Sequence, residues 1–518
     1  MHDDNFLSLD KASIRLDTLA GSSENITVKS SVPWTAVVAS GATSWLQLDK
    51  TSGGPGNTVI KLTGTHNNGM ATPQTGAVTF NPANSSALRP VILAVTQKPY
   101  SFSIGYSKTL GGTDYESTRS VNTPDGGSIM VGATSSVDGD VHGSHGKQDA
   151  WIVKLNSAGD TVWTRTLGGT GDDVASAIGL TSDGGYLVTG STESGDGDIT
   201  DKRPNFGKDV WVIKLDGSGY TTWSKTFGGS EADAGYSLTA APDGGWLVAG
   251  ATNSNNGDVA GNHGGTDVWV VKIDNQGHQQ WAKTYGGSSW DEAHGIIATT
   301  DGYVLAGLTY SGDGDVTGFH PPTFIGADVL VVKIDFGGNK IWAKAFGGTT
   351  DDDATSLTAA PDGYVVAGYT NSNDGDVTGY HGREPLFPDM WVLKLNGNGN
   401  IVWAKTFGGT FDEAATSVAV TPDGGFVLAG GASSNDGDVT GNHNKDGGNE
   451  DVWIVKLDAG GNKQWAKTLG GSGDDLAYSI SVNADGYTIT GVTTGTDGDV
   501  KGPYRGQYDI WATRLIVQ

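Results

Sequence analysis

The stretch DMWVLKLNGNGNIVWAKTFGG, Asp389 to Gly409, sets two runs of alternating Trp, Val, Ile and Leu around a Gly- and Asn-rich turn. That alternation, with a turn built from residues tolerant of left-handed backbone, predicts a β-hairpin. Close variants open at Asp149 (DAWIVKLNSAGDTVWTRTLGG), Asp209 (DVWVIKLDGSGYTTWSKTFGG) and Asp451 (DVWIVKLDAGGNKQWAKTLGG). A two-stranded ribbon is marginal alone in water and needs neighbouring strands and a face to bury. The recurrence supplies both.

The Gly-Gly pair that closes the hairpin begins at residues 111, 168, 228, 286, 347, 408 and 470, at intervals of 57 to 62 residues, so the chain carries seven copies. A repeat overrides the three or four domains that 518 residues would otherwise suggest. Each Gly-Gly pair is followed by an acidic loop, a small-residue strand, a PDGG-type turn, a second strand, a long acidic loop and then the hairpin. We label the strands A to D; in the fifth copy they fall at residues 354–360, 364–370, 390–395 and 401–407. Four strands per copy stack as an open solenoid or close as a propeller. The chain ends decide between them. The last copy stops after its C strand, residues 510–515, while an orphan D strand, residues 104–110, precedes the first. The N-terminal strand therefore completes the last sheet and closes a seven-bladed β-propeller over residues 101–518, whereas a solenoid would need polar caps. Strand A is small and polar, as in Ala175-Ser176-Ala177 and Ala415-Thr416-Ser417, which suits the crowded innermost position. The Trp pair, such as Trp391 with Trp403, is expected to fill the space between sheets, with Tyr106 and Leu330 replacing Trp in single copies.

Residues 1–98 lack the repeat. Short runs of alternating polarity, among them Ile26 to Val28, Trp34 to Val38 and Val91 to Val95, are separated by Gly, Pro, Asn or Ser and predict a small Ig-like β-sandwich. The class is thus all-β in two domains, with the junction at Lys98-Pro99. The 82 Gly residues, against 16 Pro and no low-complexity run, fit many tight turns. No run of about 18 apolar residues is present, which predicts no transmembrane segment, and MHDDNF does not resemble a signal peptide. Absence of Cys removes disulfides, Cys-based zinc sites and thiol catalysis. A net charge of −26 argues against nucleic acid, whose binding rests on Lys and Arg, and suits a cation or a basic partner.

Two resemblances follow from particular residues. Through Val32-Pro33-Trp34, Trp45-Leu46, the Ser52-Gly53-Gly54 turn and Val95-Thr96-Gln97, the first segment resembles the BACON domain of Bacteroidota surface and secreted proteins. That resemblance implies either carbohydrate binding, as the family name has it, or a spacer that holds the next domain off the cell. Through its PDGGYxVAG to DxWVVKLD pattern, the remainder resembles the bacterial β-propeller repeat family, which implies an extracytoplasmic setting and no defined chemistry. A lipid anchor in a longer precursor is part of the same expectation.

With strand A innermost, D-to-A and B-to-C loops share one face, and that face holds most of the 58 acidic residues. D-to-A loops carry Asp172 and Asp173, Asp291 and Glu292, Asp351 to Asp353, Asp412 and Glu413, and Asp474 and Asp475; B-to-C loops carry Asp-Gly-Asp, with Asn256 replacing the first Asp in the third copy. Carboxylates so dense repel one another by roughly 1 kcal/mol per 4 Å pair in water, and something must offset that. Hydrogen bonds to loop amides are one answer. Calcium is the other, with Asn371, Asn373, Asp374 and Asp376 as candidate ligands, although an EF-hand-type distal Glu is missing. His145, His263, His320, His381 and His443 recur at one place in the B-to-C loop, as loop hydrogen-bond partners or as transition-metal ligands.

Departures from the repeat mark the candidate ligand site. Trp290 and Phe411 take slots that are mostly acidic elsewhere, and inserted loops bring Phe319, His320 and Phe324 in the fourth copy and Tyr380, His381, Arg383 and Phe387 in the fifth. Aromatics stack on the apolar face of a sugar while carboxylates bond its hydroxyls; equally, long loops pack their own aromatics as satellite cores. Lys202, Arg203, Asn205 and Phe206 form a weaker alternative. Paired acids suit glycoside hydrolysis at about 5 to 10 Å separation, but here they recur in every copy, and no catalytic residue is singled out. Gly-Gly-Thr follows a strand but opens no helix, unlike a phosphate-binding loop. The expectation is a monomeric, non-enzymatic, extracytoplasmic binding protein for a glycan or protein, with calcium as the one candidate cofactor. The rivals are a polysaccharide-cleaving enzyme with its site near copies four and five, and a pure scaffold.

Overall fold

Alternating polarity becomes strand throughout the chain. The computed structural model describes residues 5–17, 22–65, 73–83, 88–98, 100–201, 207–322, 326–383, 386–444 and 447–518. Two compact units are present, Met1–Ser103 with Ile516–Gln518, and Ile104–Leu515. Among the described residues no helix is long and apolar enough to cross a membrane.

The first unit is a β-sandwich. One sheet runs Leu7–Leu9, Ser23–Ser30, Gly56–Gly64, Leu46–Leu48; the other runs Ser13–Leu16, Val91–Gln97, Gln74–Pro82, Trp34–Val38, Ser52–Gly53. Alternate residues of both sheets, including Ile26, Val28, Ile60, Val78 and Leu93, form the buried core, where Trp34 packs against Phe80 at 5.7 Å.

The second unit contains seven four-stranded antiparallel sheets. Blade five runs A to D as Asp352–Ala360, Gly363–Thr370, Asp389–Asn396 and Ile401–Phe407. Blade seven runs Asp475–Asn483, Gly486–Thr493, Asp509–Val517 and then Phe102–Leu110, so the N-terminal strand closes the ring. Neighbouring A strands touch one another all the way round, including 119–122 against 475–483, which places them innermost. Each sheet serves two neighbours: Val366, Trp391 and Leu393 pack toward blade four, Val365, Met390 and Val392 toward blade six. Trp391 is fully buried, while Trp403 on strand D lies over the C-to-D turn of blade six, where a Cβ on Gly461 would sit 2.9 Å from its ring.

The face bearing the PDGG and C-to-D turns is neutralised blade by blade. Each C strand sends a basic side chain to the Asp of the A-to-B turn: Lys154 to Asp125 at 2.8 Å, Lys214 to Asp183 at 3.0 Å, Lys272 to Asp243, Lys333 to Asp301 at 2.8 Å, Lys394 to Asp362 at 2.7 Å, Lys456 to Asp423 at 2.9 Å and Arg514 to Asp485 at 2.6 Å. Much of the positive charge is thereby committed there, which leaves the opposite face its acidic excess.

Candidate functional site

On the acidic face the loop carboxylates act first as acceptors. The leading Asp of each Asp-Gly-Asp takes the backbone N–H of the residue after the Gly-Gly pair: Asp196 from Thr170 at 2.8 Å, Asp313 from Ser288 at 2.8 Å, Asp374 from Thr349 at 2.8 Å and Asp436 from Thr410 at 2.9 Å. Asn256 takes that of Ser230 at 2.8 Å, so an oxygen is required here and a charge is not. Of the candidate calcium ligands, Asp374 also accepts from the Thr349 hydroxyl at 2.8 Å, Asp376 accepts from the Gly347 N–H at 3.4 Å, and Asn373 is exposed. Asn371 lies beside them at the start of the same loop. Among the described residues no three His, Asp or Glu side chains converge as a metal-holding group.

The candidate ligand residues separate into three sets. His320 and His381 are tied to the Asp that opens strand C: ring and backbone N–H of His320 both reach Asp328, at 3.0 and 2.7 Å, and those of His381 reach Asp389, at 2.8 and 2.7 Å. His263 and His443 repeat this on Asp267 and Asp451 at 2.6 Å, as a loop hydrogen bond. Phe319 packs on the core between blades three and four; Tyr380 donates to the Phe387 carbonyl at 2.7 Å, and Phe387 meets Phe411 edge-on at 5.8 Å, so these aromatics form a satellite core beside an exposed Arg383. Phe324 lies outside the described residues, as do Lys202, Arg203, Asn205 and Phe206. Trp290 stands apart. It is 52% exposed, its indole N–H donates to Glu292 at 2.7 Å, and Tyr310 lies 6.4 Å from it.

From Trp290 the arrangement runs inward. In blades two to seven strand A carries a register shift at its fourth residue, where Ser176, Tyr236, His294, Thr355, Thr416 and Tyr478 stand outside the ladder. A bulge of this kind re-aims one side chain. Here it sends the side chain across to the next blade: Thr355 donates to the Ala415 carbonyl at 2.6 Å, Thr416 to that of Ala477 at 2.7 Å, and a His294 ring nitrogen lies 3.1 Å from that of Ala354. Strand A is therefore not small and polar in every copy. Its fourth position holds Tyr236, His294 and Tyr478, and in blade one Arg119 opens the strand; that break in the pattern is the signal in the sequence that marks them. His294 lies between Glu292 and Asp353, 3.3 Å from each. Burial opposes its charge, but the two carboxylates outweigh burial and lift its pKa to about 10, so the ring is an imidazolium at neutral pH.

Below the loops, each seam between blades buries two acids, one opening strand C and one opening the next strand A. Asp352 accepts from the Thr370 hydroxyl, from the Ser372 hydroxyl at 2.8 Å and from Gly348 N–H at 2.7 Å, while one oxygen of its partner Asp328 has no hydrogen bond among the described residues. A Cβ on Gly347 would lie 2.5 Å from both carboxylates, so the two face each other closely. Burial lifts Asp352 and Glu413 to about 7 and Asp328 and Asp475 to about 6, with like charge adding to it. An acid whose folded pKa is raised stabilises the fold while protonated and loses that contribution as pH rises through the folded value. His294 acts in the same direction, its contribution being full below about 6.5 and fading toward 10. Asp125 and Asp183, held near 2 chiefly by hydrogen bonds to Lys154 and Thr181, contribute in full down to about pH 4 and lose that below it. Thermal melts followed by circular dichroism are therefore expected to give a higher midpoint at pH 5.5 than at pH 8; a flat or opposite trend contradicts the protonated seams.

The chain is a seven-bladed β-propeller protein with a β-sandwich at its N-terminal end. No family model matches it. It is 24% identical over 417 residues to the Regulatory protein FlaEY of Caulobacter vibrioides, a match covering 74% of this chain and 43% of that relative. The chain thus spans less than half the length of the curated relative it matches. Similar solved structures include a quinonprotein alcohol dehydrogenase-like protein from Bacteroides thetaiotaomicron, 11% identical with a TM-score of 0.35 over 90% of this chain and 96% of that one. BBS1N in complex with ARL6DN is 9% identical with a TM-score of 0.40 over 79% and 96%.

Proposed function

We propose that this chain is a non-enzymatic, extracytoplasmic binding protein whose propeller takes a glycan on its acidic loop face at Trp290. One observation carries the reading: a large indole stands half exposed on that rim, its edge held by Glu292 and Tyr310 beside it. An aromatic face covers the C–H face of a sugar ring, and adjacent carboxylates accept its hydroxyls. The negative face disfavours anionic surfaces at long range and leaves hydroxyl-rich or basic partners. The BACON-like pattern of residues 1–98 agrees with a surface or secreted setting, with this segment as the spacer. A glycan array probed with the full chain and with Trp290→Ala tests the proposal. The substitution is expected to lower bound signal at least about tenfold, as loss of an aromatic anchor of ~2 kcal/mol or more does. Signal unchanged by the substitution, or no signal on any glycan, overturns it, the second outcome in favour of a scaffold.

The rival reading, a polysaccharide-cleaving enzyme, has one observation of its own, the Glu292–His294–Asp353 group inside blades four and five. Product release from polysaccharides that is lost in Glu292→Gln would favour it.

A further inference from the structure

Inside the ring, residues in the first half of the A strands line an open cavity of about 260 Å³, among them Arg119, Ser176, Tyr236, His294 and Tyr478, with Val131, Val174 and Ala175 at its apolar side. Arg119 is the feature without an explanation in the fold. It makes no hydrogen bond or ion pair among the described residues, although basic side chains elsewhere are matched: the buried C-strand lysines to the turn aspartates, and the half-buried Arg505 to Asp140 at 2.7 Å. Burial depresses its pKa, yet a guanidinium keeps its proton in proteins, so its charge must be met by something. Arg119 is half-buried, and a cation drawn partly out of water without a partner is costly. Tyr236 and Tyr478, pushed up to about 12 by burial and by nearby negative charge, are neutral phenols able to donate or accept.

We propose that this cavity binds a single carboxylate-bearing sugar residue, a hexuronate, with its carboxylate on Arg119, its hydroxyls on Tyr236, Tyr478 and Ser176, and its ring against Val174. The planar guanidinium matches a carboxylate in bidentate fashion, which neither a hydroxyl nor an amine does. Size points the same way. The cavity lies below the roughly 300–1,000 Å³ of sites that hold larger ligands, so it has room inside for one ring. A net charge of −26 repels an anion at long range, so recognition here is set by short-range contact. The inference extends the glycan reading of the rim and rests on it for the choice of sugar as the class; the experiment below separates the two.

Isothermal titration calorimetry of the full chain with glucuronate, galacturonate, glucose and galactose tests it. The uronates are expected to bind at least about tenfold more tightly than the neutral hexoses, the worth of one charge-assisted contact. Arg119→Gln should remove that preference at a melting midpoint no lower than that of the unaltered chain, since an unpaired cation is lost, and Arg119→Lys should restore part of it. Tyr478→Phe serves as a second variant that keeps the packing, and is expected to weaken uronate binding several-fold. Equal affinity for uronate and neutral hexose, a preference unchanged in both Arg119→Gln and Tyr478→Phe, or no heat with any of the four sugars overturns the assignment. If Trp290→Ala abolishes array binding while Arg119 variants behave as wild type, the rim reading survives and the cavity assignment falls. The reverse result leaves the cavity and removes the rim.

Discussion

A chain that begins at Gly111 is expected to lose cooperative folding, whereas one that begins at Tyr100 and keeps the closing strand serves as the folded reference. Residues Phe102–Leu110 supply strand D of blade seven, which the C-terminal half of the chain cannot replace. Their loss would strip the Trp511 indole of its bond to Ser107 at 2.9 Å, the Thr513 hydroxyl of its bond to the Tyr106 carbonyl at 2.9 Å, and the Thr109 bond to the Pro503 carbonyl at 2.7 Å. Leu110 and Tyr106 also leave the cluster that joins blade seven to Trp151 and Val153 of blade one. One deleted core side chain costs about 2–5 kcal/mol and each buried polar group left unpaired about 1–3. Together these approach the whole 5–15 kcal/mol stability of an ordinary domain. Circular dichroism melts and gel filtration read the outcome: an early, broad or absent transition with aggregation through the open edge. An unchanged midpoint in the shorter chain would contradict closure by this strand.

Gly368→Ala is expected to be strongly damaging to blade five. A Cβ at that position would lie 1.9 Å from the Asp353 carbonyl oxygen, a backbone atom that cannot swing away. The cause is the close pairing of strand A with the middle of strand B, where Gly368 stands opposite Ala354. Gly190, Gly250, Gly307, Gly430 and Gly491 stand in the same relation to their own A strands, between 1.7 and 2.1 Å. This explains the Gly of the repeated VAG motif without any appeal to its backbone angles. Forced backbone shifts of this kind cost about 1–3 kcal/mol. Gly397→Ala, with open space around it, is the matched control and should leave the urea midpoint unchanged. Equal midpoints for the two variants would sink the explanation.

The ring itself was legible because its evidence is periodic. Seven Gly-Gly pairs, a Trp-bearing hairpin after each acidic loop, and two chain ends that complement each other leave little room for another architecture. Trp391 was placed correctly as core because a residue demanded in nearly every blade serves the blades. The inner wall was harder to read. Ser176, Thr355 and Thr416 make strand A look uniformly small, and a bulge leaves no compositional trace, so His294 and Arg119 read as scatter. Charge misled in another way. Asp291 and Glu292 look like one acidic pair, yet alternation along the strand buries the first in a seam and turns the second toward Trp290 and His294. The His of the B-to-C loop was legible as a loop hydrogen bond, since five equivalent copies ask for a shared local partner, and Asp328, Asp389 and Asp451 are such partners.

Consider finally the six bulges. Because each lets one residue leave the ladder while its neighbours stay paired, substitution at that slot alters the lining of the axis without disturbing sheet register. The propeller thus behaves as a fixed chassis with interchangeable inserts, and related rings are expected to differ most in ligand preference at the positions equivalent to 176, 236, 294, 355, 416 and 478.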